Sequence, residues 1–281
     1  MTSLDEQALW MDPGGAPMLG ILSRPAADTR ASGTAVVIVV GGAQYRVGSH
    51  RQFLRLARTL ARQGHTVLRF DLPGMGDSPG EPVPFDHATP HIAAAVDTVA
   101  ACDGVQRVVL WGLCDGASAS LIYASATADP RLAGLALLNP WVRSEASLAR
   151  TTVRHYYRQR LREPAFWRKL LTGAVGRQAL RDLLANLRGM QRPPQPQPSF
   201  QDHMAAGWQR FPGAILLLLS ERDLTAQEFV EYANTHPRWA NWARQPGLTR
   251  HALAQADHTC SSEQALRESE TVLISWLSRL G

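Results

Sequence analysis

Only three cysteines occur in this chain, Cys102, Cys114 and Cys260, too few and too scattered for a disulfide framework or a metal knuckle. A reducing compartment is expected. No apolar run reaches the roughly 18 residues that a membrane-spanning helix needs, and the stretch from Met1 to Gly15 lacks a signal peptide's basic and apolar regions. These absences predict a cytoplasmic chain. Lysine is nearly missing: Lys169 is the one basic residue that is not arginine, so an arginine-favouring composition accounts for part of the net charge of +5. There is no long low-complexity tract, and with 45% hydrophobic and 19% charged residues the 281-residue chain is expected to fold as one α/β core plus a smaller insertion.

Apolar runs of β character alternate with helical patterns, which predicts a mostly parallel sheet with helices on both faces. The predicted strands are Leu9 to Met11 and Met18 to Leu22, a hairpin about Asp12-Pro13-Gly14-Gly15, then Thr34 to Val40, Thr66 to Phe70, Arg107 to Trp111, Leu132 to Leu138, Gly213 to Ser220 and Leu248 to Leu253. Helices are predicted over Gln52 to Gln63, His91 to Cys102 and Glu263 to Leu280.

About 70 residues separate the strand ending near Leu138 from the one starting at Gly213, more than an ordinary connection needs. The expected division is a core of 1–141, a helical lid insertion of 142–210 and a second core segment of 211–281. Helical periodicity marks Ser147 to Leu161, Pro164 to Leu171 and Gln178 to Leu187, and Pro193 to Pro198 reads as an extended linker. Between Arg143 and Arg192 there are twelve Arg or Lys residues against three Asp or Glu, a local balance of +9, so the rest of the chain carries −4. This basic segment is read as a solvated face or as a peripheral contact with an anionic membrane surface; nucleic acid is not expected, since no recognised motif accompanies the charge.

The most informative stretch is Gly112-Leu113-Cys114-Asp115-Gly116, which follows the apolar run Val108-Val109-Leu110-Trp111 and precedes the small residues Ala117 to Ser120. Strand, sharp turn and helix start in that order form a nucleophile elbow, whose flanking glycines let the strand and helix backbones approach and expose the central side chain. Here that side chain is a thiol. The partners expected in chain order are a carboxylate and then a histidine. Asp223 follows the strand ending at Ser220, with Glu221 and Asp257 as nearby alternatives, and His258 follows the strand ending at Leu253. The oxyanion donors are expected to be the backbone N–H of Asp115 and that of Ala43, with Gln44 less favoured, because Gly41-Gly42 lets the chain turn toward the site. Gln44, Tyr45 and Arg46 are candidate substrate-binding residues, and no cofactor or metal is expected.

Nearly the whole chain resembles the α/β-hydrolase superfamily, in which Gly41-Gly42, the loop Asp71 to Ser78 with its Gly-x-Gly-x-Ser element, the elbow, Asp223 and His258 arrive in this order. The blocks Gly41 to His50, Trp111 to Ser118 and Leu138 to Arg143 are similar to the exosortase A system-associated hydrolase 1 family, and the cysteine elbow is more loosely similar to dienelactone hydrolases. The resemblance implies an α/β-hydrolase fold with a mostly parallel eight-stranded sheet, and a bacterial hydrolase encoded with exopolysaccharide and protein-sorting functions. A Cys114–His258 couple would attack esters or thioesters to give an acyl-thioenzyme. The expected partner is a small-molecule, lipid or carbohydrate acyl substrate. Transfer of the acyl group to a carbohydrate or lipid alcohol, and a catalytically silent binding protein of the same fold, are the alternative readings.

Overall fold

The structure, a computed structural model, describes residues 4–42, 44–143 and 198–280. Ala43 and the predicted insertion helices, linker and nearly all of the basic segment lie outside the described residues.

Eight strands form one sheet in the order β1-β2-β4-β3-β5-β6-β7-β8. They are β1 (Asp5–Met11), β2 (Met18–Arg24), β3 (Thr34–Val39), β4 (Thr66–Phe70), β5 (Arg107–Leu113), β6 (Leu132–Leu138), β7 (Ala214–Ser220) and β8 (Leu248–Leu253). The β1–β2 and β2–β4 pairs are antiparallel, and the pairs from β4–β3 through to β7–β8 are parallel. The hairpin is longer than its apolar residues suggested, because ladder bonds extend it through the polar ends Asp5 and Arg24. Asp12 closes its turn by accepting the Gly14 and Gly15 amides at 2.9 and 3.2 Å.

Strands buried on both faces read as continuous apolar runs, and alternate side chains divide them between two cores. Val37, Leu110, Leu135 and Leu217 face one core, which is closed by α2 (Thr89–Ala100), α3 (Asp115–Thr127), α4 (Phe200–Arg210) and α5 (Leu224–Thr235). Val36, Val109, Ala136 and Leu216 face the other, closed by α1 (Gln52–Arg62) and α6 (Glu263–Leu277). On α1 the residues Phe53, Leu56, Ala57 and Leu60 recur at helical spacing on the buried side. The Ser262 side chain caps α6 by accepting the Ala265 amide, ending the loop before it.

Helix α3 is buried from Gly116 to Ala124, so its small residues serve close packing rather than a one-sided face. Its outer neighbour is α4, where a Cβ on Gly207 would lie 2.0 Å from the Leu121 carbonyl oxygen. Met204 and Trp208 of α4 are fully buried in the first core. The core therefore resumes at Phe200, not at 211: the segment 200–210, assigned to the insertion by its place between strands, is a core helix because its apolar stripe covers α3.

Candidate active site

The C-terminal ends of the parallel strands carry the loops that build the site, as crossover topology dictates. Strand β5 ends at Leu113 and α3 starts at Asp115, so Cys114 alone makes the turn, at φ 58° and ψ −124°. A positive φ strains a residue with a Cβ by about 1–3 kcal/mol and persists only where neighbours hold it. The Cys114 amide donates to the Leu138 carbonyl at 2.9 Å, and its carbonyl accepts from Ala117, Ser118 and Trp141 at 3.1–3.2 Å. Ser118 also donates to the Trp141 carbonyl at 2.7 Å, which ties the turn to the segment after β6. The glycines at 112 and 116 are sterically required: a Cβ on Gly112 would sit 2.4 Å from the Gly116 carbonyl oxygen, and one on Gly116 would sit 2.3 Å from that of Val39.

Asp223 lies at the end of β7 as the N-cap of α5. Its Oδ1 accepts the Thr225 amide at 3.1 Å, while Oδ2 accepts from His258 Nδ1 at 2.8 Å, so one carboxylate caps a helix and orients an imidazole. His258 lies close enough to Cys114 for the sulfur to help raise its pKa, and with Nδ1 bonded to Asp223 it is Nε2 that is left for the sulfur. The three predicted residues are brought together in the expected order. The Asp223 hydrogen bond, followed by that of Cys114, raises the His258 pKa to about 10 against the opposing effect of burial. The alternative carboxylates are set aside by geometry. Glu221 is exposed, and Asp257 is engaged by the Thr259 and Ser261 amides and the Ser261 hydroxyl, shaping the loop that carries His258.

Asp115 presents its amide at the N-terminus of α3, where an oxyanion donor is expected. Its side chain was unassigned by the sequence, and it turns toward the loop after β3: Oδ2 accepts the Gly42 amide at 2.7 Å. Burial raises its pKa. A Cβ on Gly41 would fall 1.9 Å from Asp115 Oδ1 and 2.3 Å from the Gly116 nitrogen, so that glycine is what lets the loop approach the elbow. Ala43, the other expected donor, lies outside the described residues.

Of the three candidate substrate-binding residues on this loop, Arg46 is engaged by two aspartates. Its guanidinium pairs with Asp71, and with Asp77 at 2.5 Å, while its amide donates to Asp71 Oδ1 at 2.6 Å. Asp71 is fully buried and also accepts the Asp77 amide at 3.1 Å. Arg46 therefore fastens the loop after β3 to the loop after β4. Gln44 has a buried Oε1 with no hydrogen-bond partner among the described residues, and Tyr45 is 46% exposed. Arg46→Ala leaves a buried carboxylate short of its counter-charge, so it is expected to lower stability by about 2 kcal/mol together with kcat. Thermal unfolding and steady-state kinetics check this; a rise in KM with unchanged stability would return Arg46 to substrate binding.

Of the remaining cysteines, Cys260 is 2% exposed, and burial lifts its pKa to about 11. Cys102, just beyond α2, donates to the Thr98 carbonyl of that helix at 3.6 Å. Among the described residues no group of three His, Cys, Asp or Glu side chains could hold a metal ion.

A family model described as the alpha/beta hydrolase fold matches residues 34–276. Solved structures similar to the chain include the Pyrococcus furiosus esterase Pf2001, at 15% identity and TM-score 0.64 over 99% of this chain and 94% of that one. DcsB in complex with its substrate analogue is 14% identical, with TM-score 0.66 over 99% and 100% of the two chains. Est1E from Butyrivibrio proteoclasticus, bound to ferulic acid, is 15% identical, with TM-score 0.62 over 96% and 100%. No curated protein matches the chain.

Proposed function

Because the chain belongs to the α/β-hydrolase fold family, we propose that it is a cysteine-dependent acyl hydrolase that cleaves esters or thioesters through an acyl-thioenzyme. The single observation that carries this reading is the His258 imidazole, bonded to Asp223 at 2.8 Å and close to the Cys114 sulfur of the strained elbow. A protonated imidazole beside the sulfur is the arrangement in which a thiolate attacks. Sγ adds to the acyl carbon, and the carbonyl oxygen becomes an oxyanion facing the Asp115 amide. As the intermediate collapses, the leaving alkoxide or thiolate takes the proton from His258 Nε2. Neutral His258 then accepts a proton from water, the hydroxide adds to the thioester carbon, and collapse releases the acid and regenerates Cys114 with its protonated partner.

Trp10, Tyr45 and Leu224 are the exposed large hydrophobics among the described residues, and two of them sit in the loop after β3 and directly after Asp223. This favours an apolar acyl group. The blocks at Gly41 to His50, Trp111 to Ser118 and Leu138 to Arg143 support placement with an exosortase A and exopolysaccharide system in a bacterial cytoplasm. No described helix is long and apolar enough to cross a membrane. The excess of arginine between Arg143 and Arg192 suits a peripheral contact with an anionic membrane surface.

The test is a panel of short- and long-chain acyl esters and thioesters, with mass spectrometry of the intact protein for an acyl adduct. Turnover with an adduct on Cys114 supports the reading; neither across the panel would leave a binding protein. Added sugar or lipid alcohols that divert product from acid to ester would change hydrolysis to transfer.

The pH dependence follows from His258, whose folded pKa of about 10 lies above its ordinary value of 6.5. Its contribution to stability is complete below the ordinary value and is lost as pH rises toward the folded one. For alkyl esters, whose leaving group needs that proton, kcat/KM is expected to fall as pH passes about 10. An aryl ester with a self-sufficient leaving group should show a smaller fall, and identical profiles would remove His258 as the proton donor.

A further inference from the structure

Asn139 belongs to the Leu138-Asn139-Pro140-Trp141 segment and has no part in the chemistry described so far. It follows the last residue of β6, is fully buried, and takes a left-handed conformation at φ 48°. Asparagine tolerates that region better than most residues, yet nothing about the backbone alone requires its amide to be buried. A buried amide must find partners for its oxygen and for both N–H bonds. Here they come from two catalytic straps, the end of β7 and the His258 loop. Oδ1 accepts the Ser220 amide at 2.8 Å, and Nδ2 donates to Ser220 Oγ at 3.0 Å and to the His258 carbonyl at 3.2 Å.

Those contacts reach all three members of the triad within a few atoms. The carbonyl of Leu138, the preceding residue, receives the Cys114 amide at 2.9 Å, and two residues on, the Trp141 amide donates to the Cys114 carbonyl. Ser220 receives the Asp223 amide at 3.3 Å, and Asn139's own amide extends the ladder to Leu218 at 3.0 Å. The His258 contact is to its main chain, which fixes where the imidazole is carried but leaves the ring free for Asp223 and Cys114.

Resting on the acyl-hydrolase reading above, we propose that Asn139 is a positioning residue, a single buried amide that registers the elbow, the Asp223 turn and the His258 loop against one another. Strand ladders fix β5, β6 and β7 side by side, but no ladder reaches the His258 loop beyond Leu253. The Arg222 amide holds that loop at the Ala256 carbonyl at 3.0 Å, and the Asn139 amide adds a cross-link at His258 itself. Loss of the link lets His258 move relative to Cys114, and displacements on the scale of 1 Å at such a couple cost about 100-fold in rate.

The test uses two variants of the full chain. Asn139→Gly keeps the left-handed backbone and removes the amide; Asn139→Asp keeps the shape but places a carboxylate oxygen against the His258 carbonyl. Tyr123→Phe is the comparator, since it deletes the 2.7 Å hydrogen bond to Asp129 toward the other end of α3. For each, we measure thermal unfolding, kcat and KM on the responsive ester, and the pH profile of Cys114 alkylation by iodoacetamide, mapped by peptide mass spectrometry. Both Asn139 variants are expected to lower kcat about 10- to 100-fold with KM nearly unchanged, and to shift the midpoint of the alkylation profile, whereas Tyr123→Phe loses stability without moving it. Alkylation profiles and kcat equal to wild type in whichever Asn139 variant folds would overturn the proposal. The alkylation profile reads the Cys114–His258 couple with no substrate, so a wild type that turns nothing over would sink the hydrolase reading while the positioning role is still decided.

Discussion

Cys114→Ala is expected to lower kcat/KM for acyl esters by at least about 10⁴-fold and to abolish the acyl adduct, with the fold retained. In hydrolases of this type, removal of the nucleophile alone costs nearly as much as removal of the whole catalytic group, because base, acid and nucleophile act as a unit. Alanine fits the site: the strained φ of 58° is held by backbone hydrogen bonds of residue 114, which any side chain retains. Stability is therefore expected to change by less than about 1 kcal/mol. Circular dichroism and thermal unfolding separate that from a folding defect. Cys114→Ser is the sharper variant. A hydroxyl needs a neutral imidazole to take its proton, and part of what holds the proton on His258 is the Cys114 sulfur itself. Any activity of the serine variant should thus peak where His258 is deprotonated, and a profile unchanged from wild type would show that the sulfur does not set the state of the imidazole.

Gly116→Ala is expected to be strongly destabilising. The added Cβ would lie 2.3 Å from the Val39 carbonyl oxygen and 3.2 Å from the Gly41 nitrogen, both backbone atoms of a fully buried strand end and its turn. Neither can rotate away, so α3 or β3 must move, at a cost of about 3 kcal/mol or more. That corresponds to a fall in Tm of roughly 6 °C or more for a domain of this size. Gly15→Ala is the control, since its Cβ meets nothing within 4 Å and its φ is not positive. Equal melting temperatures for the two variants would mean that the close approach of strand and helix is not obligatory. Loss of activity is expected to accompany the fall, because the same displacement moves the Asp115 amide and the Gly42 turn that its side chain holds.

The parts of the site that were legible in the sequence are those determined by short-range chemistry. Cys114 announced itself because glycines on both sides and a strand before it have one steric purpose, and Asp223 and His258 because each follows a strand whose end opens on the same edge of a parallel sheet. What could not be read depends on contacts between loops far apart in the chain. That Arg46 pairs with Asp71 and Asp77, residues 25 and 31 positions away, could not be read along the chain. The direction of the Asp115 side chain was undetermined for the same reason, its partner Gly42 being 73 positions away. Asn139 stood inside a block quoted for its resemblance alone; its meaning needed β6, β7 and the His258 loop together. The end of the insertion was misjudged because Phe200–Arg210, like the helices predicted before it, has an apolar stripe, and periodicity does not say which surface the stripe will cover.

Asp223 has two employers. One carboxylate oxygen serves the imidazole and the other closes the first turn of α5, an attachment of the kind worth about 1 kcal/mol. The helix has use for that aspartate whether or not any bond is ever broken at Cys114. In descendants of this chain that abandoned turnover, the nucleophile would be free to drift while the aspartate stayed, so an intact aspartate at this position testifies to a folded helix, and only the sulfur and the imidazole together testify to chemistry.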